Sequence, residues 1–468
     1  MVDPSPRNWL RVVGHVLEGP LRADLDGRPV AALAAAARWL DGQTLELDLR
    51  AGVCFQDGQP LGPAEVKRSF DELRRWAAPY PLGAWPGFPS SATCEVAGER
   101  TIRLRLPAPD GLALGRLCLL PVATPAFWDD QGFGYRDHGS GEGRWGVLDG
   151  PGRFGTGPFV LAEGVSSFAT ASVVPGGDPR ALAWLITAER RSPRVVLEAN
   201  RAYWDAGRGP RVERIVFRND LAPEQALERC CYAEAEVDVV TEVAPADAAR
   251  VTASPFARLL AVDADRVLVG VVNRAAQEAP LDDPRARHAL NLAVNRERLV
   301  AEGFAGYASP LAGLVPPGRL GAPADLPAWR HEPARALGLL RDAAWPADRP
   351  LRLAAGVPLE VPSRLVAEDL RDALGLEVDL EILPPGRLLA ETRRLAERRL
   401  APGWDVLLTV RSGLAGFPFP AAVHRELLGA DGLLRAGPEL PGFDAYYTEL
   451  AGETDPARLA KATERLDR

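Results

Sequence analysis

The side chains of this chain that could do chemistry are few, and their spacing offers little of it. The five histidines (His15, His138, His288, His331, His424) form no HxxxH or HExxH pair, so no helix turn presents two imidazoles to one metal ion. The five cysteines (Cys54, Cys94, Cys118, Cys230, Cys231) show no CxxC spacing and an odd count. That argues against zinc and against a disulfide scaffold, and for mostly buried thiols. Gly155-Thr156-Gly157 lacks the spacing and the following lysine of a phosphate loop, and a crossover that needs permissive backbone accounts for it better. The carboxylate pair Asp282-Asp283 stands just before Pro284, where helix capping explains it. Asn200 and Trp204 read as a turn asparagine and an aromatic packed under a sheet. There is no Gly-x-Ser-x-Gly elbow and no plausible Cys/His pairing. The spacing of these residues therefore outlines no catalytic constellation and no cofactor site.

The elements that position these residues alternate between strands and helices, which points to an α/β protein. At 468 residues the chain has room for about three domains. Hydrophobic residues at 47% and charged residues at 25% describe a soluble globular chain. A formal charge of −8 argues against nucleic acid or an anionic membrane as the main partner. Positive charge is almost all arginine, the lysines being Lys67 and Lys461. The Ala-rich run Ala31 to Ala37 is too short to span a bilayer, and Met1-Val2-Asp3-Pro4 opens without a secretory signal.

Leu45, Leu47 and Leu49 alternate with Glu46, Asp48 and Arg50, the pattern of a half-buried strand. Asp57-Gly58 is a turn pair, and Pro63 opens a helix whose Val66, Phe70 and Leu73 share one face. Thr101 to Leu106 alternates again, and Trp85 to Ser91 reads as a loop. Residues 131–153 form a long glycine-rich connection. A helix is expected over Pro223 to Tyr232. Asp283 caps a helix begun by Pro284 with Ala286, Ala289, Leu290 and Ala293 buried, and Asn295 caps another. Helices over Arg335 to Leu340 and Ser363 to Leu374, a strand over Leu376 to Ile382 and a strand from Trp404-Asp405-Val406 follow.

Four ordered phrases carry a resemblance. Leu49-Arg50, Gly52-Val53, Phe55, Asp57-Gly58 and Pro60 form the first, with Gly62 where a Thr or Ser cap is usual. Gly155-Thr156-Gly157-Pro158-Phe159 is the second. The third is Val195 to Asn200 with Tyr203-Trp204, then Glu236-Val237-Asp238-Val239. Asn273 with Pro280 to Val300 is the fourth, with Asn295 where Asp is usual and Pro316-Pro317-Gly318 after it. Together they resemble the family 5 extracellular solute-binding proteins of ABC importers, the peptide- and nickel-type receptors. The resemblance implies a type II periplasmic-binding-protein fold, two α/β lobes with an additional small domain. It places lobe I in residues 1–19 and 152–265, the small domain in 20–151 and lobe II in 266–450. Residues 451–468 begin the return to lobe I, and 164–194 look like an insertion.

What the resemblance implies about function is capture of a peptide-like or other small solute in the interlobe cleft and delivery to ABC permease subunits. The expected state is a monomer at the periplasm or outer face of the cytoplasmic membrane. An intracellular ligand-sensing domain of a regulator is the alternative, and a hydrolase on the same fold a third reading. Cleft residues by this reading are Asn8, Trp9, Thr241, Glu242, Arg411, Ser412, Phe417 and Phe419, with the lobes turning about Val269 to Asn273. Peptide-binding relatives carry an acid after the last cleft strand that neutralises the peptide ammonium. Here Arg411 to Pro420 holds no acid, Arg411 either faces solvent or pairs with an anionic ligand, and Glu242 is left as the one rescue. Family chains also carry a strand at each end in lobe I, so edges of that lobe are expected to lack partners.

Overall fold

The computed structural model describes residues 12–75, 88–89, 91–130, 142–143, 151–164, 166–167, 171–172, 190–232, 236–264, 266–396, 398–399, 403–412 and 421–468. Most of the Trp85–Ser91 loop, the 131–153 connection and the 164–194 insertion lies outside them. Three sheets of three or four strands organise the described residues. The first is antiparallel, in the order Ala34–Trp39, Thr44–Leu49, Thr101–Arg105, Thr93–Val96. The second, also antiparallel, runs Arg214–Arg218, Arg194–Ala199, Phe159–Glu163. The third is mixed: Arg266–Val272 lies antiparallel to Val406–Ser412, which is parallel to Leu351–Gly356 and through it to Val378–Leu383.

In the first sheet the period-two reading holds for the leucines, since Leu45, Leu47 and Leu49 are buried. It misplaces Glu46, which is buried as well. Arg38 and Arg103 stand directly opposite it on the two flanking strands, Arg103 at 2.6 Å, so the carboxylate enters the interior with both neighbours neutralising it. Helix Pro63–Arg75 packs Val66 and Phe70 fully inside. Its uncapped start at Gly62 is repaired by Glu65, whose carboxylate accepts from the Gly62 amide at 2.9 Å. The turn before it places Gly58 at φ +91°, which favours glycine.

A single hydrophobic core joins the first two sheets, running from Val12 and Leu17 through Leu45, Phe70 and Ile102 to Phe159 and Leu197. The third sheet has its own core, covered by helices Pro284–Ala293, Pro333–Asp342 and Glu360–Leu374. Asp283 and Asn295 cap as expected, accepting from the Arg285 amide at 2.8 Å and the Arg298 amide at 3.0 Å. Ala286, Ala289, Leu290 and Ala293 are buried. The two bodies also meet away from the sheets, where the Gly111 amide donates to the Ala451 carbonyl at 2.6 Å and Arg319 to the Leu25 carbonyl at 2.9 Å.

By the resemblance, the Glu236 to Val239 phrase leads into a strand that emerges at the cleft beside Thr241 and Glu242, and that strand does not form. Residues 236–244, with the Glu236 to Val239 phrase, are irregular, and Val239 is 72% exposed. An isolated extended segment has nowhere to satisfy its amides except solvent, and no described strand pairs with this one.

Candidate functional site

The strand pair Arg266–Val272 and Val406–Ser412 positions the residues singled out above. Its register sets Arg266 opposite Ser412 and Val267 opposite Arg411. Glu242 reaches Arg266 at 3.0 Å. Thr241 precedes it on the exposed 236–244 segment. The fold thus brings Thr241, Glu242, Arg411 and Ser412 to one end of one ladder, although 170 residues separate the two pairs in the chain. Asn8, Trp9, Phe417 and Phe419 lie outside the described residues.

Arg411 takes neither of the positions expected for it. It does not face solvent and it is not left for a ligand. Its guanidinium grips Glu426 of helix Ala422–Leu428 with two nitrogens, Nε at 2.9 Å from Oε2 and Nη2 to Oε1. Arg411 is 16% and Glu426 6% exposed at the side chain. Burial pushes the Glu426 carboxyl up and Arg411 pulls it back down, with burial ahead. Sequence reading missed Glu426 because nothing in the pattern of a helix names the partner of an acid on its inner face.

The other end of the ladder is locked. Asp405 is fully buried and accepts from Arg349 at 2.7 and 2.9 Å, from the Arg352 amide at 2.8 Å and from the Arg352 guanidinium at 3.1 Å. Asn273 ties the two strands across this end: its amide donates to the Asp405 carbonyl at 2.8 Å and its Nδ2 to the Trp404 carbonyl at 3.1 Å. A one-residue slip of the strand pair would turn Arg411 to the opposite face, so this knot is what aims it. Residues Val269 to Val272 are bonded in the ladder along their length, and Asn273 is pinned. A turning point there would break the sheet. The irregular chain at 254–264, immediately before the strand, has no such ladder.

The body formed by the first two sheets is organised by three buried polar side chains. Glu18 accepts from Tyr203 Oη at 2.7 Å, Trp204 Nε1 at 2.8 Å and Thr156 Oγ1 at 2.9 Å. Gln56 donates its amide to the Phe159 carbonyl at 2.6 Å and the Gly157 carbonyl at 3.1 Å. Asn200 donates to the Gly157 carbonyl at 3.1 Å and accepts from the Ala202 amide at 3.1 Å. Asn200 and Trp204 therefore serve the framework, as read from the sequence.

Glu18 gives a pH-dependent expectation. Burial raises its carboxyl above the ordinary value, and the bonds from Trp204, Tyr203 and Thr156 offset that only in part. With the folded pKa above the unfolded one, the folded state gains relative stability as pH falls through the folded pKa, and the ionised form costs stability above it. Glu18→Gln removes that slope, so urea titrations should show wild type losing stability against it as pH rises above the ordinary carboxyl value of 4.5. Glu18→Ala should lose about 2–4 kcal/mol, because three buried donors are left without an acceptor. Parallel curves for wild type and Glu18→Gln would contradict the reading.

No group of three or more His, Cys, Asp or Glu positioned to hold a metal ion occurs among the described residues. No helix among them is long and apolar enough to cross a membrane. The five cysteines are free thiols, with Cys94, Cys118 and Cys231 buried, Cys230 intermediate and Cys54 exposed.

The family model described as bacterial extracellular solute-binding proteins, family 5 middle, matches residues 28–423. The chain is 26% identical over 314 residues to the glutathione-binding protein GsiB of Salmonella typhimurium, covering 65% of this chain and 51% of that protein. It thus spans about half the length of that relative. It is 24% identical over 400 residues to probable di/tripeptide-binding protein 5 of Pseudomonas aeruginosa, covering 81% of this chain and 69% of that one. Among solved structures it is similar to a putative peptide binding protein, AppA, from Clostridium difficile, with a TM-score of 0.73 at 14% identity over 99% of this chain and 89% of that one. NikA from Brucella suis, in complex with Fe(III)-EDTA, superimposes with a TM-score of 0.70 at 20% identity, over 97% and 85%. These likenesses establish the type II periplasmic-binding-protein fold expected from the sequence.

Proposed function

The chain belongs to the bacterial extracellular solute-binding proteins of family 5, and on that premise we propose that it is the substrate-binding component of an ABC importer. It captures a small peptide-like or other solute between two lobes and passes it to permease subunits at the outer face of the cytoplasmic membrane. It works as a monomer, without catalysis and without nucleic acid. Residues 1–19 and 152–265 make lobe I, 20–151 the additional small domain and 266–450 lobe II, with 451–468 leading back toward lobe I. The small domain and lobe I share one core, so they move together. The lobes turn about the irregular 254–264 segment. The observation that carries the reading is the meeting of Thr241, Glu242, Arg411 and Ser412 at one end of the lobe II ladder. Glutathione, di/tripeptides and a metal chelate are bound by the relatives whose names say so, which keeps the solute class small and polar.

The charges at this site narrow the class further. Glu242 pairs with Arg266 and Glu426 with Arg411, and no acid lies between 411 and 420. An ammonium brought into the closed cleft would find both carboxylates already engaged, and burying it unpaired costs several kcal/mol. The solute is therefore neutral or anionic and is not held by a free amino terminus. Calorimetry with a tripeptide library, each member free and N-acetylated, tests this. Any member that binds should keep its affinity on acetylation. Micromolar or tighter binding that needs the free amine would overturn the assignment.

A further inference from the structure

A cavity of about 700 Å³ opens where the first sheet meets the loop after strand Arg194–Ala199. It is separate from the Arg411–Glu426 end of the lobe II ladder, and its walls come from the small domain and lobe I. Asp48, Leu49, Arg50 and Ala51 line one side, Arg100 and Thr101 a second, and Trp204, Asp205 and Ala206 a third. Ala35 stands at its rim as the extra residue of a β-bulge, Ala34 and Ala36 being the ones paired with Leu49 and Asp48. Such bulges bend a strand and re-aim its neighbours, frequently beside binding sites. A volume of this size suits a small organic molecule, since ligand pockets run from about 300 to 1,000 Å³.

The four charged groups on the wall are not equivalent. Asp48 is bonded to Arg38 at 2.8 Å and to Thr101 Oγ1 at 3.1 Å. Asp205 accepts from the Gly207 amide at 3.1 Å, with Arg208 at 3.9 Å. Both acids are thus occupied within the chain. Among the described residues Arg50 bonds through Nε alone, donated to the Ala32 carbonyl at 2.7 Å, and its guanidinium lies over the Trp204 ring, 5.8 Å from its centre. Neither terminal nitrogen has a partner among the described residues, so both have donors to spare. Arg100, exposed on the turn between strands Thr93–Val96 and Thr101–Arg105, makes no ion pair among the described residues. Trp204 itself is held in place from behind, because its Nε1 is fixed on Glu18 at 2.8 Å.

Two guanidinium groups with free donors beside a fixed indole are a receptor for an anion with a flat apolar body. We propose that this cavity is a second ligand site, for a small organic anion whose carboxylate or phosphate bonds Arg50 and Arg100 while its body lies against Trp204. Planar guanidinium groups bond both kinds of oxyanion with two parallel N–H donors, and their π-face tolerates the aromatic neighbour. Neutral molecules of the same shape would gain only the apolar contact.

Calorimetry on the full chain tests the site with 2-naphthoate, 2-naphthyl phosphate, neutral 2-naphthylmethanol and inorganic phosphate as probes. At least one of the two aromatic anions should bind at one to one, at least tenfold tighter than the neutral alcohol and than inorganic phosphate. The carboxylate and phosphate arms show which oxyanion the site prefers. Arg100→Glu, on an exposed turn, should weaken that binding at least tenfold, as expected for a lost charge-assisted bond. Ala35→Trp, which fills the rim without changing charge, should weaken it as much. Binding of neither anion, equal binding of the neutral alcohol, or binding unchanged in Arg100→Glu would overturn the proposal. Both variants leave the Arg411–Glu426 end untouched, so loss of naphthoate binding is distinguishable from any failure of solute capture.

Discussion

Replacing Asp405 by alanine is expected to cost about 3–5 kcal/mol of stability, the penalty for removing one partner from a buried ion pair. Arg349 is 11% exposed at the side chain and would lose both of its bonds to the carboxylate. The Arg352 amide, bonded at 2.8 Å, would lose its acceptor as well. The effect should carry a pH signature. Burial acts to raise the Asp405 carboxyl, but the bonds from Arg349 and Arg352 outweigh it and hold the group below its ordinary value. A depressed folded pKa means that the contribution is fully present above the unfolded value, about 3.8, and is lost as pH falls through the folded one. Denaturant titrations at pH 7 and pH 3 should therefore show the gap between wild type and Asp405→Ala narrowing in acid. A gap of less than about 1 kcal/mol at pH 7 would mean that the arginines find other partners.

Gly155→Ala is expected to be nearly as damaging, by about 3 kcal/mol, the upper end of overpacking costs. A Cβ at Gly155 would overlap the carbonyl oxygen of Val16, a backbone atom that cannot swing aside. Gly157 has the same difficulty against the His15 carbonyl. The contrast is Gly338, inside helix Pro333–Asp342 with nothing within 4 Å of a Cβ, where alanine should add about 0.5–1 kcal/mol. Thermal melts of the two variants side by side would check the pair. Equal melting temperatures for Gly155→Ala and wild type would remove the packing account of this phrase.

These two sites mark where sequence reading stops. Hydrophobic period reports which face of an element is buried, and it placed the Thr44–Leu49 strand, the Pro63–Arg75 helix and the capped Pro284–Ala293 helix. It has no access to partners far along the chain. Glu18 and Trp204 bond across 186 residues, and Asp405 and Arg349 across 56. Glu46 looked like a wet position because alternation says so, and only strand pairing shows the two arginines that bring it inside. The glycines of Gly155-Thr156-Gly157 were legible as a special backbone. The reason is close approach of another chain segment, and neither has the positive φ that permissive backbone suggests. At the site, the sequence named Arg411 and Glu242, but their meeting at one ladder end depends on the register set by Asp405 and Asn273. A strand at the Glu236 to Val239 phrase was implied by the resemblance alone, and the segment is irregular because a strand needs a neighbour.

Capture between two lobes is tested most directly by small-angle X-ray scattering of the chain with and without a solute whose saturable binding calorimetry has established. Only a solute that contacts both lobes can shift the balance toward a closed form. The account expects the radius of gyration to fall at saturation, with the Gly111 amide, bonded to the Ala451 carbonyl, showing slowed hydrogen exchange in the bound state. A radius unchanged at full occupancy would contradict capture by closure of the lobes.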